Sequence, residues 1–189
     1  MSGAAAAPVA VPTLDTPRLV LRPLAEADAP AYAELYADPE VARYVTPDGA
    51  PLSPDDAWRH MAMLVGHWQL RGSGMCAVAE RAAPARLIGR VGCHQPAGWP
   101  DFEVGWALAR PWWRRGYATE AAAAAVRHAF GTLARPRVIS LIAPENAASA
   151  AVARRLGARP VGEHRVHGRG VDVWAIERAE WDAADEARG

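Results

Sequence analysis

The stretch RPWWRRGYATEAAAAAVRHAF, residues 110–130, decides how this chain is read. Two tryptophans and two arginines crowd in front of a glycine, and a run of alanines follows. An apolar seam has no use for the glycine, and a solvated helix face has none for the tryptophans. The pattern predicts a helix that begins near Arg115 with bulk and positive charge at its start. The first N–H groups of a helix have no intrahelical acceptor, and the dipole makes that end attractive to an anion. Gly116 lets a ligand approach the backbone, Ala118 keeps the next surface low, and Arg114 and Arg115 add charge. A pyrophosphate fits such a cradle; the alternative is a glycine-containing helix start whose arginines face water. The alanines from Ala121 to Ala125 would let the helix lie close against a sheet.

Towards the N-terminus, RLVLRPL (residues 18–24) alternates and predicts an opening strand. A helix starts at Asp28 and Pro30, runs towards Tyr36 and meets punctuation at Asp38-Pro39. A second starts at SPDDAW, where Ser53 caps, Pro54 takes the first helical position, and Asp55 and Asp56 favour the dipole. It continues to about Leu70 with Trp58, Met61, Leu64, Val65 and Trp68 on its apolar side. Strands are expected over 75–79, 86–92 and 102–109, parted by the turns ERAAPA and HQPAGWP. After the alanine helix comes an apolar run of buried-strand length, 137–143. A helix over 146–156 then ends on Gly157, and a hairpin over 159–176 closes the order. That order predicts an α/β (α+β) fold, a mixed and mainly antiparallel central sheet with helices on both faces. One domain is expected over 13–178, with a disordered arm over 1–12 and a flexible tail over 179–189.

The totals narrow the function. A chain of 189 residues, 51% hydrophobic and 22% charged, fits one folded core. A formal net charge of +0 leaves no global field for nucleic acid or an anionic membrane. No stretch approaches the roughly 20 apolar residues that span a bilayer. The start MSGAAAAPVAVP lacks the basic and apolar regions of a secretion signal. Cys76 and Cys93 have neither pairing nor metal-like spacing and read as buried free thiols, hence a reducing, cytoplasmic setting. No carboxylate cluster suggests a metal. Neither GxGxxG nor GxxxxGK[ST] is present, so the two common nucleotide loops have no support.

Four segments in order, LDTPRLVLRPL, FEVGWAL, PWWRRGYATEAA and NAASAAVARRLGA, carry a more specific likeness. Over roughly residues 14–176 the chain resembles the GNAT family of acyl-CoA-dependent N-acetyltransferases, especially the branch that acetylates ribosomal-protein N-termini. The resemblance implies acetyl-CoA as cofactor, with its pyrophosphate on the backbone of the loop and helix start. The family motif Gln/Arg-x-x-Gly-x-Gly/Ala falls on Trp113, Gly116 and Ala118, and the neighbours Arg114, Arg115, Tyr117 and Thr119 complete the implied cradle. Trp113 departs from the motif at a position that acts through its main chain. Arg114 stands where relatives commonly carry glycine, and a positive φ would be awkward there. In such a fold the strands near 103–109 and 138–143 splay and admit the acyl arm. Trp106, Ala107 and Leu108 then contact the cofactor, and the N–H near Trp106 or Ala107 stabilises the developing oxyanion. Arg154 is a further implied cofactor contact.

The catalytic candidates are Glu103, Asn146 and Ser149. The resemblance makes Glu103 a general base, direct or through water; Phe102, Val104 and Trp106 beside it would raise its pKa. An outward-facing Glu103, or Asp101 in its place, is the alternative. Asn146 suits a helix cap, and by resemblance contacts the pantetheine arm or a water near the thioester. Ser149 could donate to the departing sulfur, because the tyrosine used by many relatives is missing among Val152, Ala153 and Arg154. A thiol pKa of about 8–9 makes a strong acid unnecessary. His60 and His94 read as surface or packing residues. Acceptor choice in the family rests on the first helices and last hairpin; Tyr44 and Trp58, with Glu103, are the expected substrate contacts, under a turn-rich lid, TPDGAPLSPDD.

The resulting expectation is direct acetyl transfer in a ternary complex to a primary amine, most specifically a peptide or protein N-terminal α-amine, by a monomer or homodimer. Other readings are a small-molecule amine (polyamine, amino sugar or antibiotic) as acceptor, a non-catalytic acyl-CoA-binding module, and an interaction protein whose Trp112 and Trp113 pack a partner.

Overall fold

The structure, a computed structural model, describes residues 9–186. In chain order the elements are β1 (Leu14–Asp15), β2 (Leu19–Arg22), α1 (Ala29–Ala37), α2 (Pro39–Val45), α3 (Pro54–Arg71), β3 (Met75–Glu80), β4 (Gly89–His94) and β5 (Glu103–Leu108). There follow α4 (Tyr117–Gly131), β6 (Arg137–Ile142), α5 (Ala147–Arg155), β7 (Arg159–Val166), β8 (Arg169–Glu177) and α6 (Arg178–Glu186). The strands form a single eight-stranded sheet in the order β1-β2-β3-β4-β5-β6-β8-β7. Every neighbouring pair is antiparallel except β5 and β6. The expected mixed, mainly antiparallel sheet is therefore the observed one.

Strand alternation divides the core into two layers. Cys76, Val78, Val91, Cys93 and Val104 face α4 and α5, whereas Met75 and Ala77 face α1 and α3. The alanine run does what its size allows. Ala121, Ala122, Ala125 and Ala129 are fully buried, so α4 packs tightly on the sheet, and the Cys93 thiol reaches the Ala125 carbonyl at 3.8 Å. Ser53 caps α3 by accepting the Asp56 N–H at 3.2 Å, and Gly72 ends it at φ 67.

The punctuation expected at Asp38-Pro39 is present: α1 ends at Ala37, Asp38 is extended, and by accepting the Glu40 N–H at 3.0 Å it starts α2 at once. Two expectations need correction. The arm expected over 1–12 lies partly outside the described residues, but Val9 and Val11 pack on the main core, and the Val9 N–H bonds Gln69 at 3.0 Å. The tail expected from 179 is helical as α6 to Glu186, because Trp181 buries its ring against Phe130 with centroids 6.2 Å apart.

The feature that positions the site is the only parallel pair among the described residues. β5 and β6 register solely at Glu103 and Ile139, where the Ile139 N–H bonds the Phe102 carbonyl at 2.9 Å. Beyond that point side chains replace the ladder. Ser140 Oγ donates to the Val104 carbonyl at 2.7 Å, and the Leu141 N–H turns to Glu103 Oε1 at 3.3 Å. The two strands then separate and leave a gap in the middle of the sheet.

Candidate active site

At the C-terminal end of β5 a 3-10 turn over Arg110–Trp112 leads to Arg114 at φ 60 and Gly116 at φ 78. The left-handed conformation costs a residue with a side chain roughly 1–2 kcal/mol, and Arg114 adopts it. The first intrahelical bond of α4 runs from the Glu120 N–H to the Gly116 carbonyl at 3.0 Å. The N–H groups of Tyr117, Ala118 and Thr119 therefore point out of the helix start without intrahelical acceptors. A Cβ at Gly116 would meet Arg18 Nη2 at 3.3 Å in addition to the φ penalty. The cradle suits a pyrophosphate: donors converge, cations flank it, and the glycine keeps it open.

The tryptophans brace this loop. The Trp113 indole N–H donates to the Leu108 carbonyl at 2.6 Å. Trp112 donates to Glu80 Oε2 at 3.3 Å, and the Arg86 guanidinium lies 4.9 Å over its ring. Tyr117 donates its hydroxyl to the other Glu80 oxygen at 2.6 Å. These two donors hold the Glu80 carboxyl below its ordinary range. Arg18 ties the helix start to β2. It bonds the Arg115 carbonyl at 2.9 Å and Glu120 at 2.6 Å, and sits 4.7 Å over the Tyr117 ring. Arg18, Glu80 and Glu120 were not singled out from sequence; a fixed arginine in the TPRL opening was the available signal.

The gap itself discriminates between Trp106 and Ala107. The carbonyls of Phe102 and Val104 face β6, where they accept from Ile139 and Ser140, and that of Leu108 accepts from the Trp113 indole. Backbone groups alternate sides along a strand, so the main chain of Trp106 faces the gap and that of Ala107 faces β4. Across the gap the Trp106 indole N–H donates to Ser149 Oγ at 3.3 Å. That bond uses the oxygen as acceptor and leaves the Ser149 proton to donate. Asn146 caps α5, its Oδ1 accepting the Ser149 N–H at 3.0 Å, which leaves its Nδ2 for another acceptor.

A cavity of about 680 Å³ opens beside the gap and is lined by Glu103, Trp106, Ser140, Asn146 and Ser149. Tyr44, Thr46 and Pro47 also line it, as does the β7–β8 turn through His167 and Arg169. Arg169 fastens hairpin to rim by donating to the Arg43 carbonyl at 3.0 Å and the Thr46 carbonyl at 3.4 Å. Glu103 faces inward, with 9% of its surface exposed. The Trp99 indole N–H grips Oε2 at 2.6 Å and the Leu141 N–H holds Oε1. Burial raises its pKa above the ordinary carboxylate value, and these donors offset part of the rise.

Other expected residues lie elsewhere. Trp58 and Val65, expected on the apolar side of α3, are 46% and 41% exposed, and Trp58 donates to Glu26 at 3.0 Å, away from the cavity lining. Arg154 lies 5.0 Å over the Trp174 ring near the end of α5, also outside that lining. His60 and His94, expected as surface or packing residues, both line the cavity. Burial, and next the Arg90 charge, push each of them down to about 3. Arg90, buried in the same wall, was not anticipated. Among the described residues no group of three or more His, Cys, Asp or Glu could hold a metal. No described helix is long and apolar enough to cross a membrane.

Comparison with known proteins agrees with this geometry. The profile of the acetyltransferase (GNAT) domain matches residues 18–159. An acetyltransferase of Agrobacterium tumefaciens str. C58 superposes with a TM-score of 0.79 at 34% identity, covering 93% of this chain and 99% of that one. An uncharacterised N-acetyltransferase, YoaA of Bacillus subtilis (strain 168), is 28% identical over 80% of this chain and 85% of its own length. RimL, a ribosomal L7/L12 α-N-protein acetyltransferase solved with coenzyme A, shares the fold at a TM-score of 0.72 and 18% identity, covering 88% of this chain and 98% of that one. The protein therefore belongs to the GNAT family, and is an acetyl-CoA-dependent N-acetyltransferase.

Proposed function

We propose that this enzyme acetylates an α-amine seated in the cavity, and that Glu103 takes the amine's proton. One observation carries the proposal: a buried carboxylate, fixed by Trp99 and Leu141, stands where β5 and β6 part. When bound, acetyl-CoA supplies a thioester acetyl group whose C–S bond breaks as the new C–N bond forms. The α4 start, through the N–H groups of Tyr117 to Thr119 and the Arg114 and Arg115 charges, holds the pyrophosphate. The Trp106 N–H, turned into the gap, receives the negative charge that develops on the acyl oxygen. Ser149 retains a hydroxyl proton for the departing sulfur. Glu103, with a raised pKa, is a better match for an amine's proton than an exposed carboxylate.

The N-terminal α-amine of a peptide or protein is the acceptor that the resemblance favours. A cavity of about 680 Å³ fits one or two residues of chain, and it fits a free small amine equally, which keeps that second acceptor class in view. The free, buried Cys76 and Cys93 favour work in the cytoplasm. The test is Glu103→Gln assayed by thiol release with a panel of amines. We expect kcat to fall by about 10²–10⁴, with acetyl-CoA binding retained in calorimetry. Unchanged turnover would remove Glu103 from the chemistry.

A further inference from the structure

Arg90 is a buried cation that makes no direct ion pair among the described residues, although the Glu103 carboxylate attracts it through space. It is 9% exposed and lines the acceptor cavity. Its Nε donates to the Tyr36 hydroxyl at 2.6 Å, and Nη1 reaches the Met75 sulfur at 3.4 Å. A guanidinium has five N–H donors; the Tyr32 hydroxyl is a further partner, so two remain. No described carboxylate forms an ion pair with it. Removing such a charge from water costs several kcal/mol unless an anion compensates. Tyr36 is a neutral acceptor and a thioether is a weak one, so only Glu103, acting at a distance, offsets part of the charge.

The sheet places this cation relative to the base. Arg90 pairs with Ala107, Gly92 with Gly105, and His94 with Glu103, and cross-strand partners share a face. Arg90 and Glu103 therefore stand on one face of the sheet, separated by a pair of glycines over which Met75 packs. A Cβ at Gly92 would strike the Gly74 carbonyl at 2.3 Å, and one at Gly105 would press on Met75 Cε at 3.1 Å. At about 3.4 Å per residue the two backbones are roughly 14 Å apart along the strands. Both side chains line the cavity, and Glu103 Oε1 leans back beside Gly105, so their charged ends are closer than the backbones and attract each other.

We infer that Arg90 binds a carboxylate of the acceptor, so that the accepted amine belongs to a molecule carrying an acidic group a few bonds away. Resting on Glu103 as the amine end of the cavity, the inference names the substrate class: an amino-carboxylate. A free amino acid and a peptide with aspartate or glutamate at its N-terminus both present that chemistry.

The experiment compares matched pairs of acceptors in the wild-type enzyme and in Arg90→Met. One pair is a free amino acid and its amide; the other is a peptide beginning with Asp and the same peptide beginning with Asn. The wild type is expected to prefer the carboxylate member of one pair by at least about tenfold in kcat/KM, a magnitude set by a charged hydrogen bond of about 1.5–3 kcal/mol. The preferred pair identifies the source. Arg90→Met should abolish the preference, mainly through KM, and Arg90→Lys should restore part of it. A binding arm needs no turnover: the α-hydroxy acid analogue of the amino acid, or of the aspartyl peptide, should raise Tm in the wild type and not in Arg90→Met. Equal use of both members of each pair, or a preference that survives Arg90→Met, would overturn the inference. Analogue binding that depends on Arg90, without transfer to any amine, would overturn the role of Glu103 and leave the carboxylate site standing.

Discussion

Two arginines share one cross-strand row and meet opposite fates. Arg22 pairs across the sheet with Ala77, and Ala77 with Arg90. Arg22 is saturated: Asp28 takes Nη1 at 2.8 Å and Nη2 at 2.7 Å, and the carbonyls of Pro84, Pro23 and Ala85 take the rest. Arg90 has the Tyr36 and Tyr32 hydroxyls, one sulfur and a carboxylate, Glu103, only at a distance. A structural arginine is recognised by its spent donors. An arginine kept for a ligand is recognised by donors left over at the edge of a cavity. The first anchors the start of α1 to the sheet; the second leaves a positive field in the acceptor wall.

That contrast predicts different responses to mutation. Asp28→Ala strands the Arg22 charge and should cost about 3–5 kcal/mol in denaturant unfolding. Arg90→Met removes a cation that makes no direct ion pair and puts an apolar chain of similar length in its place, and should cost less than Asp28→Ala. Equal losses would mean that both arginines are structural. The cradle gives the next effect. Gly116→Asp forces a side chain into the left-handed region beside Arg18 and sets a carboxylate against a pyrophosphate, so acetyl-CoA affinity should fall by about 100-fold, read by calorimetry. Undiminished affinity would move the pyrophosphate elsewhere.

A smaller effect belongs to the histidines beside Arg90. His60 and His94 have folded pKa values pushed down to about 3, against about 6.5 unfolded. A depressed pKa means stability that is full above pH 6.5 and is lost as pH falls from there towards 3. By pH 5 the loss should be about 1–2 kcal/mol for each histidine, and smaller in Arg90→Met, which removes one cause of the depression. Thermal unfolding between pH 7 and pH 5 measures both. A Tm flat across that range would mean that neither imidazole resists protonation.

The order of elements was legible because most of its punctuation is local: Ser53-Pro54, the alanine run and Gly157 each act within a turn or two. The cradle was legible for the same reason, since Trp113 to Thr119 are consecutive. Arg90 was not, because an arginine inside an apolar strand says nothing of what lies opposite; only the pairing with Ala77 and Ala107 puts it in the cavity wall. His60 and His94 come together from α3 and β4, 34 residues apart in number, and share a wall only after the sheet forms. Trp58 misled for the converse reason. It sits on an otherwise apolar helical stripe, but its indole turns outward to Glu26. The end of α6 was hidden by its composition, since one aromatic, Trp181, supplies the packing that orders it.

The most direct test of the chemistry is the pH dependence of kcat/KM in the wild type and in Glu103→Gln. The buried Glu103 carboxyl titrates above its ordinary value of about 4.3, and only its ionised form accepts a proton. Activity should therefore fall on acidification through a limb lying above that value, and the limb should vanish in Glu103→Gln along with most of kcat. His60 and His94, at about 3, supply no limb in that range. A Glu103→Gln enzyme that kept both its rate and its acidic limb would contradict the assignment of Glu103 as the base.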